Sequence, residues 1–100
     1  MTLDELQFLI NKEAEIYANL IEDCLYEETA FILYKQFEGA MEAYRDCGYY
    51  VLRMYSDDVY RMEEESYKKV NKAVLDAFGQ EAFNYCVKGG KYNANQLSNF

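Results

Sequence analysis

The sequence holds no histidine, no proline and no tryptophan. Di-iron and di-manganese bundles need inward glutamates and Glu-x-x-His on facing helices, so the missing histidine excludes them. The HExxH zinc site is excluded for the same reason, and so is a Cys–His nucleophile pair. With no proline, helix boundaries must rest on capping residues and glycines. No run of 18 apolar residues exists, so no membrane span is expected. The first ten residues, MTLDELQFLI, lack a basic region and a small-residue cleavage site, so no signal peptide is expected either.

The cysteines are few and odd in number: Cys24, Cys47 and Cys86. They form no CxxC pair and have no histidine to join at a metal. Each lies in or beside a helical apolar pattern, which points to buried, reduced thiols in a cytoplasmic protein; a redox switch is the minor reading. Gly89-Gly90-Lys91 lacks the upstream glycine and the following Ser or Thr of a P-loop. General-base candidates reduce to Asp, Glu, Lys, Tyr and Cys, and no spacing among them marks a pocket. The expectation is a chain with no catalysis, no cofactor and no metal.

What is present is helical periodicity. The 100 residues make one domain, 51% hydrophobic and 28% charged. The chain is organised around Ala30–Tyr55, AFILYKQFEGAMEAYRDCGYYVLRMY. At about 100° per residue Ala30, Leu33, Tyr34, Phe37, Ala40, Met41, Tyr44, Cys47, Val51, Met54 and Tyr55 share one face. As one helix it would run about 39 Å at ~1.5 Å per residue. Gly39, flanked by Ala40 and Ala43, would permit close helix–helix approach. Gly48 could instead stop the helix and leave YYVLRMY as a strand, but the stripe continues through it and a lone strand has no partner.

Around this element the rest falls into place. Thr2 and Glu5 have capping-box spacing, and Leu3, Leu6, Leu9, Ile10, Ala14, Tyr17, Leu20, Ile21, Cys24 and Leu25 predict a helix over 3–26. Glu13, at the edge of that face, either reaches water or meets an arginine or lysine of a neighbouring element. A turn is expected at 26–29 with Thr29 as the next N-cap. Ser56-Asp57-Asp58 suits an N-cap with an acidic first turn, opening a third helix or decorating a continuing one. Val59, Met62, Val70, Ala73, Val74, Ala77 and Phe78 carry its apolar face to Gly79, a C-terminal stop. Glu63-Glu64-Glu65, with Lys68 and Lys69 beyond, reads as a solvated face. Residues 80–88 predict a short fourth helix stopped by Gly89-Gly90. Residues 89–100 form a polar tail, with Leu97 and Phe100 as docking anchors. The fold class is all-α: a small bundle of three long helices plus a short C-terminal one. Two broad apolar faces in so small a domain also make a homodimer one solution to their burial.

The charge is one-sided. The net charge is −8, and the first 48 residues account for it, with 11 acids against 3 bases. Such a chain is repelled by nucleic acid and anionic membranes and is steered toward basic surfaces. Two surfaces follow. On the first helix Asp4, Glu15 and Glu22 lie along one line with Asp23 beside it. Rigidly spaced carboxylates of this kind can stand in for phosphates. On the second, Glu42, Asp46, Tyr49, Tyr50, Arg53, Asp57, Tyr60 and Glu64 form an outward stripe in which tyrosine, 11 in all, supplies apolar area with a polar tip.

In size, acidity and want of catalytic residues the chain resembles the small phage-encoded inhibitors that block host defence or transcription machinery, anti-CRISPR proteins among them. These share no common fold, so no residue role is carried over. The resemblance implies a protein partner: a basic, nucleic-acid-handling host protein whose binding site the chain occludes. Two other readings compete. One is an immunity or antitoxin-type protein that caps a toxic nuclease; the other is a homo-oligomeric scaffold in which the tyrosine stripe is a self-interface.

Overall fold

The computed structural model describes residues 2–51, 53 and 56–91. Among these there are four α-helices and no strand: α1 Leu3–Asp23, α2 Glu27–Asp46, α3 Ser56–Phe78 and α4 Gln80–Lys91. The three long helices and the short fourth are the all-α bundle that the 3.6-residue periodicity predicts. No helix among the described residues is long and apolar enough to cross a membrane.

α1 opens with the capping box. Glu5 N–H donates to Thr2 Oγ1 and Thr2 N–H donates to Glu5 Oε1, both at 3.2 Å. This satisfies two of the amides a helix start leaves without partners. The helix ends at Asp23 rather than at 26. Cys24 turns extended, and its thiol donates to the carbonyls of Ile21 (3.1 Å) and Tyr26 (3.7 Å). A local thiol–carbonyl bond thus competes with continuation of the helix. Leu25 lies exposed in the turn. α2 then starts three residues earlier than Thr29 implies. Tyr26 occupies the N-cap position without a side-chain cap, and Glu27 and Glu28 place negative charge on the first turn, where the helix dipole favours it.

The largest departure is at the centre. The stretch 30–55 is not one helix: α2 stops at Asp46 and passes into a π-helical turn, Cys47–Val51, with Gly48 buried inside it. Arg53 follows with φ +58°, the left-handed region. A π turn widens the helix and breaks the phase of the apolar stripe. The chain then reverses, and Ser56 opens a third helix in its own right. Folding back lets α3 bury its apolar line on α1, which one long helix could not do. Met54 and Tyr55 lie outside the described residues, as do Leu97 and Phe100 of the tail. At the far end Gly79 (φ +95°) stops α3 as expected, with its N–H donating to Leu75 O at 3.0 Å. Gly89-Gly90 does not stop α4, which runs through both to Lys91.

One core joins the four helices. α1 supplies Leu6, Ile10, Ala14, Ala18 and Ile21; α2 supplies Ala30, Tyr34, Phe37 and Met41. α3 adds Met62, Val70, Ala73 and Val74, and α4 adds Ala82 and Cys86. Phe37 is the hub, meeting Tyr17 of α1 (centroids 5.9 Å) and Tyr67 of α3 (5.0 Å) edge-on. α1 packs most extensively on α3, and small buried side chains (Ala14, Ala18, Ser66, Ala73) lie on that pair. Gly39 has no such role: a Cβ there would meet nothing within 4 Å. Its flank opens into space, and that space bears on function.

Candidate functional site

α2 and α3 touch each other only sparsely, and between them lies an open cleft of about 710 Å³, closed at one end by α4. α2 contributes Tyr34, Lys35, Glu38, Gly39, Glu42 and Arg45. These positions recur every three or four residues, so they form one line beside the apolar stripe. α3 contributes Tyr60, Glu63, Glu64, Tyr67 and Asn71, and α4 adds Phe83 and Val87. The lining carries four carboxylates against two cations.

At its base sits an ion pair. Arg45 Nη2 and Nε donate to the same oxygen of Glu63, Oε2, at 3.0 and 3.3 Å. The Arg45 guanidinium also lies over the Tyr60 ring, 5.8 Å from its centroid. Glu63 is 4% exposed, and its second oxygen, Oε1, has no hydrogen-bond partner among the described residues. Burial raises the Glu63 carboxyl above its ordinary range, against the opposing pull of Arg45. Deeper in, Tyr34 Oη donates to Asn71 Oδ1 at 2.8 Å. Burial pushes the Tyr34 and Tyr67 phenols up, and the negative charge of Glu38 adds to both. Both rings therefore stay neutral donors amid negative charge. Lys35 Nζ lies 3.4 Å from Glu38 Oε1 and over the Phe31 ring.

The sequence-predicted residues divide. Glu42, Tyr60 and Glu64 come together in this cleft. Asp46 is exposed on α2, one turn beyond Glu42, and does not line it. Tyr49 is half-buried in the π turn rather than on a wet stripe, and Arg53 is exposed at the chain reversal. The side chains of Tyr50 and Asp57 lie outside the described set. Among the described residues the stripe is interrupted, because α2 ends at Asp46 and a π turn and the reversal follow it.

On α1 the acids Asp4, Glu15, Glu22 and Asp23 are all exposed, and none lines the α2–α3 cleft. They are not an uninterrupted negative strip. Glu15 shares a smaller cleft between α1 and α3, about 410 Å³, with Lys12 and Lys69. Glu22 adds to the field that, after the bond to Asp76, holds the Lys72 ammonium above its ordinary value. Among the described residues Glu13 takes its hydrogen bond from a tyrosine rather than an arginine or lysine: Tyr44 Oη donates to it at 3.2 Å. Of the cysteines only Cys86 is buried, while Cys24 and Cys47 are half-buried.

Arg45 and Glu63 are what sequence reasoning missed. The run Glu63-Glu64-Glu65 reads as a solvated face, yet of the three only Glu64 and Glu65 take Lys68, at 3.8 and 3.2 Å. The signal was in the spacing. Glu63, Tyr67, Val70 and Val74 stand at i, i+4, i+7 and i+11, so the carboxylate sits on α3's apolar line. Among the described residues no group of three or more Cys, Asp or Glu side chains converges as a metal ion would require. No protein-family model, curated protein or solved structure matches the chain.

Proposed function

We propose that the chain is a small, non-catalytic, acidic inhibitor that binds a basic, nucleic-acid-handling protein and covers the surface its nucleic acid would use. The observation that carries this reading is the α2–α3 cleft, where Glu38, Glu42, Glu63 and Glu64 stand among Tyr34, Tyr60 and Tyr67. Carboxylates set among rigid aromatics are what a groove rich in arginine and lysine binds, and tyrosine is enriched where interfaces carry most of their energy. The exposed acids of α1 and the net charge of −8 extend the same sign beyond the cleft. Their service is long-range attraction, screened over ~8 Å at physiological ionic strength.

The test is a comparison of two baits in a lysate of the native host. Wild-type protein is expected to retain a basic protein that binds DNA or RNA. The double variant Glu42→Lys/Glu64→Lys, changed at two exposed positions, is expected to lose it while keeping its helix content. Equal retention by both baits, or a partner with no nucleic-acid-binding activity, would contradict the reading.

A further inference from the structure

We infer that the groove between the start of α2 and the start of α4 docks an amphipathic basic segment of another protein, one that seats a bulky apolar side chain with lysine or arginine a helical turn away. This surface is separate from the α2–α3 cleft, and the inference does not depend on the inhibitor reading.

The groove encloses about 470 Å³. Its walls meet where the Phe31 ring of α2 lies against the Tyr85 ring of α4, with centroids 4.7 Å apart. Each wall repeats one pattern. Glu27 precedes Phe31, Glu28 precedes Ile32 and Glu81 precedes Tyr85, every pair four residues apart and so on one line of its helix. The groove therefore has an acidic end at the helix starts and an apolar end about 5.4 Å further in, one helical turn. The helix starts account for the acids unaided, since carboxylates in a first turn suit the dipole. They do not account for the apolar end. Ile32 is 55% exposed and Tyr85 42%, and Phe31 is half-buried in the same groove. Single exposed apolar side chains are ordinary; three together in a concave site mark a contact surface.

Charge specifies the occupant. Three carboxylates line the groove, and among the described residues no lysine or arginine does. Lys35 lies over the Phe31 ring but pairs with Glu38 and lines the α2–α3 cleft instead. Glu27, Glu28 and Glu81 are all exposed, so an incoming cation reaches them. The complement of this surface is positive at one end and apolar one turn on, the layout of an amphipathic basic helix laid in a groove. A neutral apolar ligand leaves the acidic end unused, and an acidic one is repelled.

The probe is the decapeptide acetyl-Gly-Lys-Lys-Ala-Ala-Phe-Leu-Ala-Gln-Gly-amide, which places two lysines one turn before a phenylalanine, titrated into ¹⁵N-labelled protein. One control peptide replaces its phenylalanine and leucine with alanine and keeps the charge; the other replaces both lysines with glutamate and keeps the apolar pair. The probe should shift amides of residues 27–32 and 81–86 in a saturable manner, at least tenfold more tightly than either control. Ile32→Gln and the double variant Glu28→Gln/Glu81→Gln, all at exposed positions, should each weaken it severalfold with wild-type helix content. Leu20→Gln, exposed on α1, should leave it unchanged. No saturable shift at millimolar peptide, equal binding of either control, or undiminished binding by both groove variants would overturn the inference. Contacts from Leu97 or Phe100 to Ile32 in the free protein would assign the groove to the chain's own C-terminal segment. A dimer mass in light scattering that Ile32→Gln abolishes would assign it to a second copy. Either result would also overturn it, and none of these outcomes bears on the α2–α3 cleft.

Discussion

At Glu63 a negative charge lies beneath the surface with only half of its acceptors met. Burial outweighs the ion pair, so the folded protein holds this carboxyl above the unfolded value. The stabilisation from such a group is fully present below its ordinary pKa of 4.5 and is lost as pH rises through the raised one. Arg45 limits the loss. Removing it strands a buried carboxylate, and Arg45→Ala should cost about 3 kcal/mol at pH 7. At pH 4, where Glu63 is largely protonated, the same substitution should cost less. Glu63→Gln, which removes the buried charge, should stay within about 1 kcal/mol of wild type at pH 7 and flatten this part of the pH dependence. Urea denaturation of the three proteins at both pH values measures this. An equal cost of Arg45→Ala at the two would mean that the charge on Glu63 is not the issue.

At the scale of elements, α2, the π turn and α3 decide where the cleft lies. Their apolar stripes were legible, because Phe37, Met41, Met62, Val70 and Val74 recur at helical spacing and are buried where that spacing puts them. The capping box at Thr2 and the stop at Gly79 were legible for the same reason: each is a local bond or a local φ. The break after Asp46 was not. No proline marks it, the apolar spacing in the sequence runs through it at a regular helical period, and what ends the helix is the gain from packing α3 back onto α1, a tertiary effect. Half of the cleft was equally hidden. Glu42, Tyr60 and Glu64 stand out as polar and outward, but Glu63 reads as solvated and nothing in the sequence singles out Arg45; the reversal brings these two together. Arg53 bears the strain of that reversal. A left-handed residue with a side chain costs roughly 1 kcal/mol or more, and glycine is free of this. Arg53→Gly should therefore raise stability by about 0.5–1 kcal/mol in thermal or urea unfolding, although glycine is usually destabilising. A loss of stability would mean that the Arg53 side chain holds the reversal together.

For the whole molecule the governing quantity is the placement of its charge. The net −8 does not form a single phosphate-like strip, since Lys69 and Lys72 of α3 stand close to the acids of α1. The negative charge that is ringed by aromatics lies in the α2–α3 cleft. If the proposed inhibitor reading holds, the exposed α1 acids should set the rate of association and the cleft the rate of dissociation, as exposed charges and buried anchors usually do. The most direct measurement is a competition. Labelled DNA or RNA is bound to the purified partner, and its anisotropy is followed as the protein is added at physiological salt. Stoichiometric release of the nucleic acid, absent with Glu42→Lys/Glu64→Lys, is the expected result. Nucleic acid that stays bound at saturating protein, in a ternary complex, would contradict occlusion of a basic site.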